Sequence, residues 1–334
     1  MKLLTVMIAA LLWVLYCLTF WAIAALPLSP LVGIYILGNT LSFSVMFVIG
    51  HDAAHHALFK KRWKNDLLAQ ICFLPALQPV SSWQVRHNIF HHGFAGFRPK
   101  DPGYPPATLE EYLSWGPFRR AFYRFQRSII GFGFIYFVDG WLKFGFSRAD
   151  MKKKQVLRLR WEIAALLTFV LGQLAIAIAI SSQSPWLAWI LSVGIPFLIW
   201  NYVMSFVTYL HHTNPQVPWF DDYSEWRAKK SVQLTVHVRF PKFLDVAYLN
   251  IMQHPAHHEN ARTAWYELPH AQAALARRHD VVELPLKLSS ILDVFKKCKL
   301  YDSRRHCWQD YTGTITSVCL RANLEEAVDG ITKG

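Results

Sequence analysis

Four stretches of the chain contain no Asp, Glu, Lys or Arg: residues 3–26, 31–50, 163–180 and 186–210. Each is 18 to 25 residues long, and about 20 consecutive apolar residues cross a bilayer core as a helix. Buried helices of a soluble protein are the alternative, and four uncharged runs at spanning length weigh against it. The pattern predicts an all-α integral membrane protein with four transmembrane helices. The run after Lys2 could be a secretory leader, but its 24 uncharged residues exceed the apolar core of about 7–15 in such leaders. Only a short Pro27–Pro30 connector precedes the next run, so 3–26 and 31–50 are read as one retained helical hairpin. The runs 163–180 and 186–210 form the second. The stretch IIGFGFIYFVDGWLKFGF, 129–146, is apolar around Asp139 and reads as an amphipathic segment lying in the interface. A fifth crossing there would put residues 211–302 across the membrane from residues 51–128. Residues 1–302 form a single domain on this reading, with a polar tail over 303–334.

Composition agrees. Charged residues make up 17% of the chain, against about 25% in soluble domains. The net charge of +13 is unevenly spread: 18 Lys and Arg lie in 51–161, 16 lie beyond 211, and the last is Lys2. The short connectors around 27–30 and 181–185 have none. Lys- and Arg-rich loops stay in the cytosol, so both termini and the segments 51–162 and 211–302 are expected there. The positive excess then serves topology and attraction to anionic membrane lipids. No basic helix or aromatic-and-basic stripe of a nucleic-acid module is present, and no nucleic-acid partner is expected. The five cysteines, Cys17, Cys72, Cys298, Cys307 and Cys319, form no CxxC and read as reduced structural thiols.

Histidine changes the picture. None of the 15 histidines falls inside a predicted span, and most fall in clusters. HDAAHH carries His51, His55 and His56; HNIFHH carries His87, His91 and His92; HPAHH carries His254, His257 and His258. His211 and His212 follow directly on the fourth run. Two hairpins would hold all of these on one face of the membrane. His51 and His55 are i, i+4, as are His87 and His91, and His254 and His258, so each pair stacks along a helix. Neutral imidazole ligates iron, zinc or copper. Packed imidazoles with no metal would repel on protonation. One structural zinc takes four ligands, whereas eight to ten candidates suit two ions in a centre open on one side, fit for redox chemistry with oxygen.

At these residues the sequence resembles the membrane fatty acid desaturase family, specifically its acyl-lipid, delta-12/omega-6-like branch. The three boxes HxxxH(H), HxxxHH and HxxHH occur in family order. KKRWKNDL (60–67), SSWQVRHN (81–88), TYLHHTNP (208–215) and LTVHVRFPKFLDV (234–246) extend the likeness from about His51 to the CKLYD at 298–302. The resemblance implies two iron ions held in a cytosolic helical cap, and O2-dependent insertion of a cis double bond into an acyl chain. Electrons would come from a separate donor of ferredoxin or cytochrome b5 type, since the chain has no CxxCH, GxGxxG or ferredoxin cysteine set. By position, the family's ligands fall on His51, His55, His87, His91, His92, His212, His254, His257 and His258. His211 stands where the family has Gln, and His56 where relatives vary; both are additional candidates. Asn250 could reach the metals directly or through water, or be a plain polar helix residue. Asp52, Asp101 and His237 are candidates for the shell that orients metal-bound imidazoles. A solvated carboxylate or helix cap is the alternative for the two acids, and a structural role for His237. Two departures bear on substrate identity: Ala95-Gly96, where many relatives have Thr-Asn, and the polar start of ENARTAWYELP.

Three other functions compete. A hydroxylase or ketolase on the same scaffold would add oxygen rather than remove hydrogen. A metal transporter would need polar residues within the spans, and 3–26 and 163–180 have almost none. A zinc hydrolase would need a general-base carboxylate beside the metal, and the boxes lack the glutamate of HExxH. The basic runs at 60–62 and 152–154 serve either as topology signals or as docking points for an acidic carrier. The 129–146 segment is placed to roof the acyl site.

Overall fold

A computed structural model describes residues 1–228 and 234–320 of the chain. It is mostly helical, and four helices are long and apolar enough to cross a membrane: α1 (Lys2–Ala25), α2 (Val32–Ala54), and the helices Lys153–Ile180 and Pro185–His212. Their ends depart from the uncharged runs where the backbone, rather than the polarity, decides. α2 continues past Gly50 through His51 and Asp52 and stops only where His56 takes a left-handed φ of 59°. This extension puts the first histidine cluster on the same rigid rod as the second apolar run.

α3 (Arg62–Phe73) packs back on α2. Gly50 makes the close approach possible, because a Cβ there would stand 2.5 Å from the Phe73 ring and 3.1 Å from Cys72 Cβ. Phe73 in turn stacks on Phe47, ring centroids 4.5 Å apart. α4 (residues 80–94) opens with an α-helical turn, Val80–Trp83, widens to π-helical geometry over Gln84–His91, and closes with His92–Phe94. α5 (Leu109–Ser114) begins with a capping box between Thr108 and Glu111. α6 (Pro117–Gln126) follows it, and α7 (residues 133–145) spans most of the expected interfacial segment. Ser205 fastens α7 by accepting from Tyr136 N at 2.8 Å and donating to Gly133 O at 3.0 Å.

α8 (Lys153–Ile180) begins well before its uncharged run and carries Glu162, buried, which accepts from both Ser81 N and Ser81 Oγ at 2.8 Å. This ties the start of α4 to the third long helix. In α9 (Pro185–His212) Pro196 cannot donate to the ladder; the helix widens to π geometry over Ile190–Gly194 just ahead of it, where its ring would otherwise crowd the i−4 carbonyl.

Beyond α9 come α10 (Tyr223–Ala228), β1 (His237–Arg239), α11 (Lys242–Ala247), α12 (His254–Glu259), α13 (Leu268–Ala276), β2 (Glu283–Pro285), α14 (Leu288–Lys297), β3 (Leu300–Asp302) and β4 (Cys307–Gln309). β1 and β2 run parallel; β3 and β4 are antiparallel. The first part of the expected polar tail packs on the body: Trp308 is buried and its Nε1 donates to Asn214 O at 2.9 Å. Residues 321–334 of that tail lie outside the described residues. All five cysteines are free.

Candidate metal centre

The C-terminal ends of α2 and α9 meet α4 and α12, and nine imidazoles converge there. They fall into two groups. His51, His55, His87, His92 and His257 form one; His91, His212, His254 and His258 form the other. Within each group the available donor atoms lie within 4.8 Å of one another. The groups abut: the rings of His92 and His258 stack with centroids 4.2 Å apart.

Local geometry explains the division. His51 and His55 share a group as i, i+4 neighbours, and so do His254 and His258. His257, a residue before His258, points to the other side of α12 and joins the first group. α4 departs from the expected pairing. Its π turn closes with His92 N donating to His87 O, an i→i+5 bond, which lays the fifth residue rather than the fourth over the first. His92 Nε2 therefore stands 3.1 Å from His87 Nε2, while His91 turns toward His212, ring centroids 4.4 Å apart.

The donor chemistry fits a metal. Nε2 atoms face each other at 3.2 Å (His51 and His87), 3.1 Å (His92 and His257) and 2.9 Å (His212 and His254). Nε2 of His55, His91 and His258 has no hydrogen-bond partner among the described residues. A buried polar atom without a partner costs about 1–3 kcal/mol, and a shared cation removes that cost for several at once. Six of the rings are also biased toward the neutral form, the one that ligates. Burial, and then the neighbouring imidazoles, push His55, His87, His92, His254, His257 and His258 well below the usual histidine range.

Two buried carboxylates address the groups from behind. Asp52 Oδ1 lies 3.2 Å from His51 Nδ1, and its Oδ2 accepts from Trp265 N at 2.8 Å. Asp101 Oδ1 lies 2.8 Å from His91 Nδ1 and accepts from Gly103 N at 2.7 Å, while Oδ2 accepts from Gly96 N at 2.9 Å. Both are about as buried as the core, 1% and 2% exposed, rather than solvated. Gly96 has φ +73°. Gly and Asn are the residues that adopt this conformation readily, so the Ala95-Gly96 departure has a backbone explanation. Gly103 went unnoticed in the sequence: a Cβ there would stand 2.7 Å from His91 Cε1. Its only signal was the Pro-Gly turn pair.

The remaining candidates lie outside both groups. His56 turns away to Asp66, 3.0 Å from its Oδ1. His211 stacks on His254 with centroids 4.0 Å apart. His237 Nδ1 lies 3.5 Å from Glu283 in β2. Asn250, at φ 56°, donates to Trp265 O at 3.1 Å. Trp83 stacks on His87 with centroids 4.2 Å apart. A largely apolar cavity of about 100 Å³ touches both groups, between Phe47, Val48, Trp83, Met204, Val207 and Ile251.

The family described as fatty acid desaturase matches residues 25–285. The chain belongs to the fatty acid desaturase family. It is accordingly an oxidoreductase, and its histidine clusters are compatible with a metal site. The desaturase is 29% identical to the sn-1 oleoyl-lipid 12-desaturase of Anabaena variabilis, over 86% of this chain and 81% of the relative. It is 31% identical to the protein of the same name from Arthrospira platensis, over 74% and 68%. It is 25% identical to the chloroplastic omega-6 fatty acid desaturase of Glycine max, over 87% and 67%.

Proposed function

We propose that the desaturase holds two irons, one in each imidazole group, and inserts a cis double bond into an oleoyl chain carried by a membrane lipid. The observation that carries this reading is the division of nine imidazoles into two adjoining donor groups beside an apolar cavity. When bound, two irons would supply reduction of O2 to two waters, coupled to removal of two hydrogen atoms from neighbouring methylenes, with two electrons from an external donor and two protons from solvent. The chain's residues do the rest. Asp52 and Asp101 accept the Nδ1 protons of His51 and His91, fixing the tautomer that leaves Nε2 for the metal. Trp83, Phe47 and Met204 line the space for methylenes and exclude water. The relatives' names support the position: "12-" and "omega-6" count the same bond of an oleoyl chain from opposite ends.

The uneven spread of Lys and Arg supports two hairpins with a cap and both termini in the cytosol. Cysteines placed at Ser29 and Ser184 should then react with an impermeant reagent only from the far side; reaction from the cytosolic side contradicts this topology. Lys61 and Lys152 precede α3 and α8, which Asp66 and Arg158 join at 3.3 Å. That face supports docking of an acidic electron carrier. Expression in a host lacking polyunsaturated lipids, with fatty-acid analysis by mass, tests the reaction. A new species two hydrogens lighter is expected; an oxygen-bearing product would favour hydroxylation. His91→Ala and His257→Ala should each abolish the product and lower bound iron while the protein still inserts.

A further inference from the structure

Behind Asp101 the molecule opens into a second, quite different cavity. It has a volume of about 610 Å³, and its walls include six cations: Arg86, Arg98, Lys100, Arg119, Arg127 and Lys143. Three of these are matched by acids, Arg86 by Asp150, Arg98 by Glu111 and Asp221, and Lys143 by Asp139. The two carboxylates in the wall, Asp101 and Asp139, are engaged, the first with His91 and two backbone amides, the second with Lys143 and Gln126. Lys100, Arg119 and Arg127 have no carboxylate partner among the described residues. Lys100 and Arg119 lie over the rings of Phe94 and Trp115 and reach the surface.

Arg127 is the decisive group. It is 3% exposed. Its Nη2 donates to Tyr104 O at 2.9 Å and Pro105 O at 3.0 Å, and Nη1 has no hydrogen-bond partner among the described residues. A buried charge is costly unless paired, and among the described residues Arg127 meets two carbonyls and the Tyr123 and Tyr209 side chains but no carboxylate. A bound anion would supply the missing counter-charge.

Position says which anion. A small cavity between Tyr104, Ile135 and Asp139 shares walls with this vestibule on one side and reaches His87 and His91 on the other. An occupant seated at Arg127 would thus lead to the metal centre. On α6, Phe118 and Phe125 are exposed and apolar, while Arg119, Phe122 and Tyr123 line the vestibule, with Arg127 just beyond the helix. Such a helix lies at the level of lipid headgroups.

We propose that this vestibule binds the anionic headgroup of the acyl substrate, a phosphate-class oxyanion bridging Arg119 and Arg127, so that the enzyme prefers anionic acyl lipids to neutral ones. The proposal rests on the acyl-lipid reading of the metal centre. The test uses the full-length protein in neutral nanodiscs and measures binding of a dioleoyl phosphatidylglycerol against a dioleoyl galactolipid. The charged lipid should bind about tenfold tighter, the worth of one charge-assisted contact. Arg119→Gln and Arg127→Gln should bring that ratio toward one, and Arg119→Lys should keep it. Should Arg127→Gln fail to fold, Arg119→Gln paired with Lys100→Gln reads the same ratio. Equal binding of the two lipids, or a ratio untouched by both Gln variants, overturns the proposal. So does inorganic phosphate that binds at millimolar concentration without displacing the charged lipid. Desaturation of neither lipid despite the binding preference would instead overturn the acyl-lipid reading.

Discussion

Single residues fix how the imidazole donors are presented. Asp101 shows how: one carboxylate holds His91 and both amides of its own loop. Asp101→Asn removes the charge and turns an N–H donor toward one of those partners. It should weaken metal binding about 10–100-fold, the usual cost of losing such an orienting group, measured by chelator competition; unchanged affinity would make Asp101 a loop anchor only. The buried imidazoles also impose a pH dependence. Six of them are pushed well below the ordinary value by burial and by one another. In the unfolded chain they titrate near about 6.5. Below that pH the unfolded chain takes up protons that the folded one refuses, so stability is lost as pH falls. The melting temperature of the metal-free protein should hold between about pH 7 and 8 and drop steadily below about 6.5; a constant or rising value down to pH 5 would contradict it. The donor residue types were legible in the sequence because imidazole clusters have few other uses. The burial of Asp52 and Asp101 was not, because it depends on Trp265, Gly96 and Gly103, whose folding around the carboxylates leaves no sequence pattern.

Elements decide which histidines share a group. The i, i+4 rule placed His51 with His55 and His254 with His258, since α2 and α12 are regular there. It failed on α4, where a π turn pairs His87 with His92 and sends His91 across. Spacing alone treats every helix as 3.6 residues per turn, and nothing in QVRHNIFH announces the extra residue. α4 is held in place through its first turn. Glu162→Ala would leave Ser81 N and Oγ without their acceptor. It should cost about 1.5–3 kcal/mol, seen as a lower melting temperature in detergent, with iron content kept in the surviving folded fraction. A melting temperature equal to wild type would show that α4 is fixed elsewhere. The four long helices were visible as uncharged runs, yet their true ends were not, because helix continues through charged residues wherever no breaker intervenes. α8 starting at Lys153 and α2 ending at Ala54 are the clearest cases.

At the scale of the molecule, distant segments close one small volume. Trp265 donates through Nε1 to Thr5 and through its backbone to Asp52, so the first helix, the first histidine cluster and the segment after the third are locked together. Order along the chain revealed three boxes; only the fold shows that they interleave, with each of the second and third boxes contributing to both groups. That interleaving suits the proposed pair of irons better than a single ion. The most direct test is metal stoichiometry on purified protein that desaturates a lipid. The account predicts two irons per chain, with His257→Ala and His258→Ala each reducing the count. Active protein holding one metal per chain, or none, would contradict it.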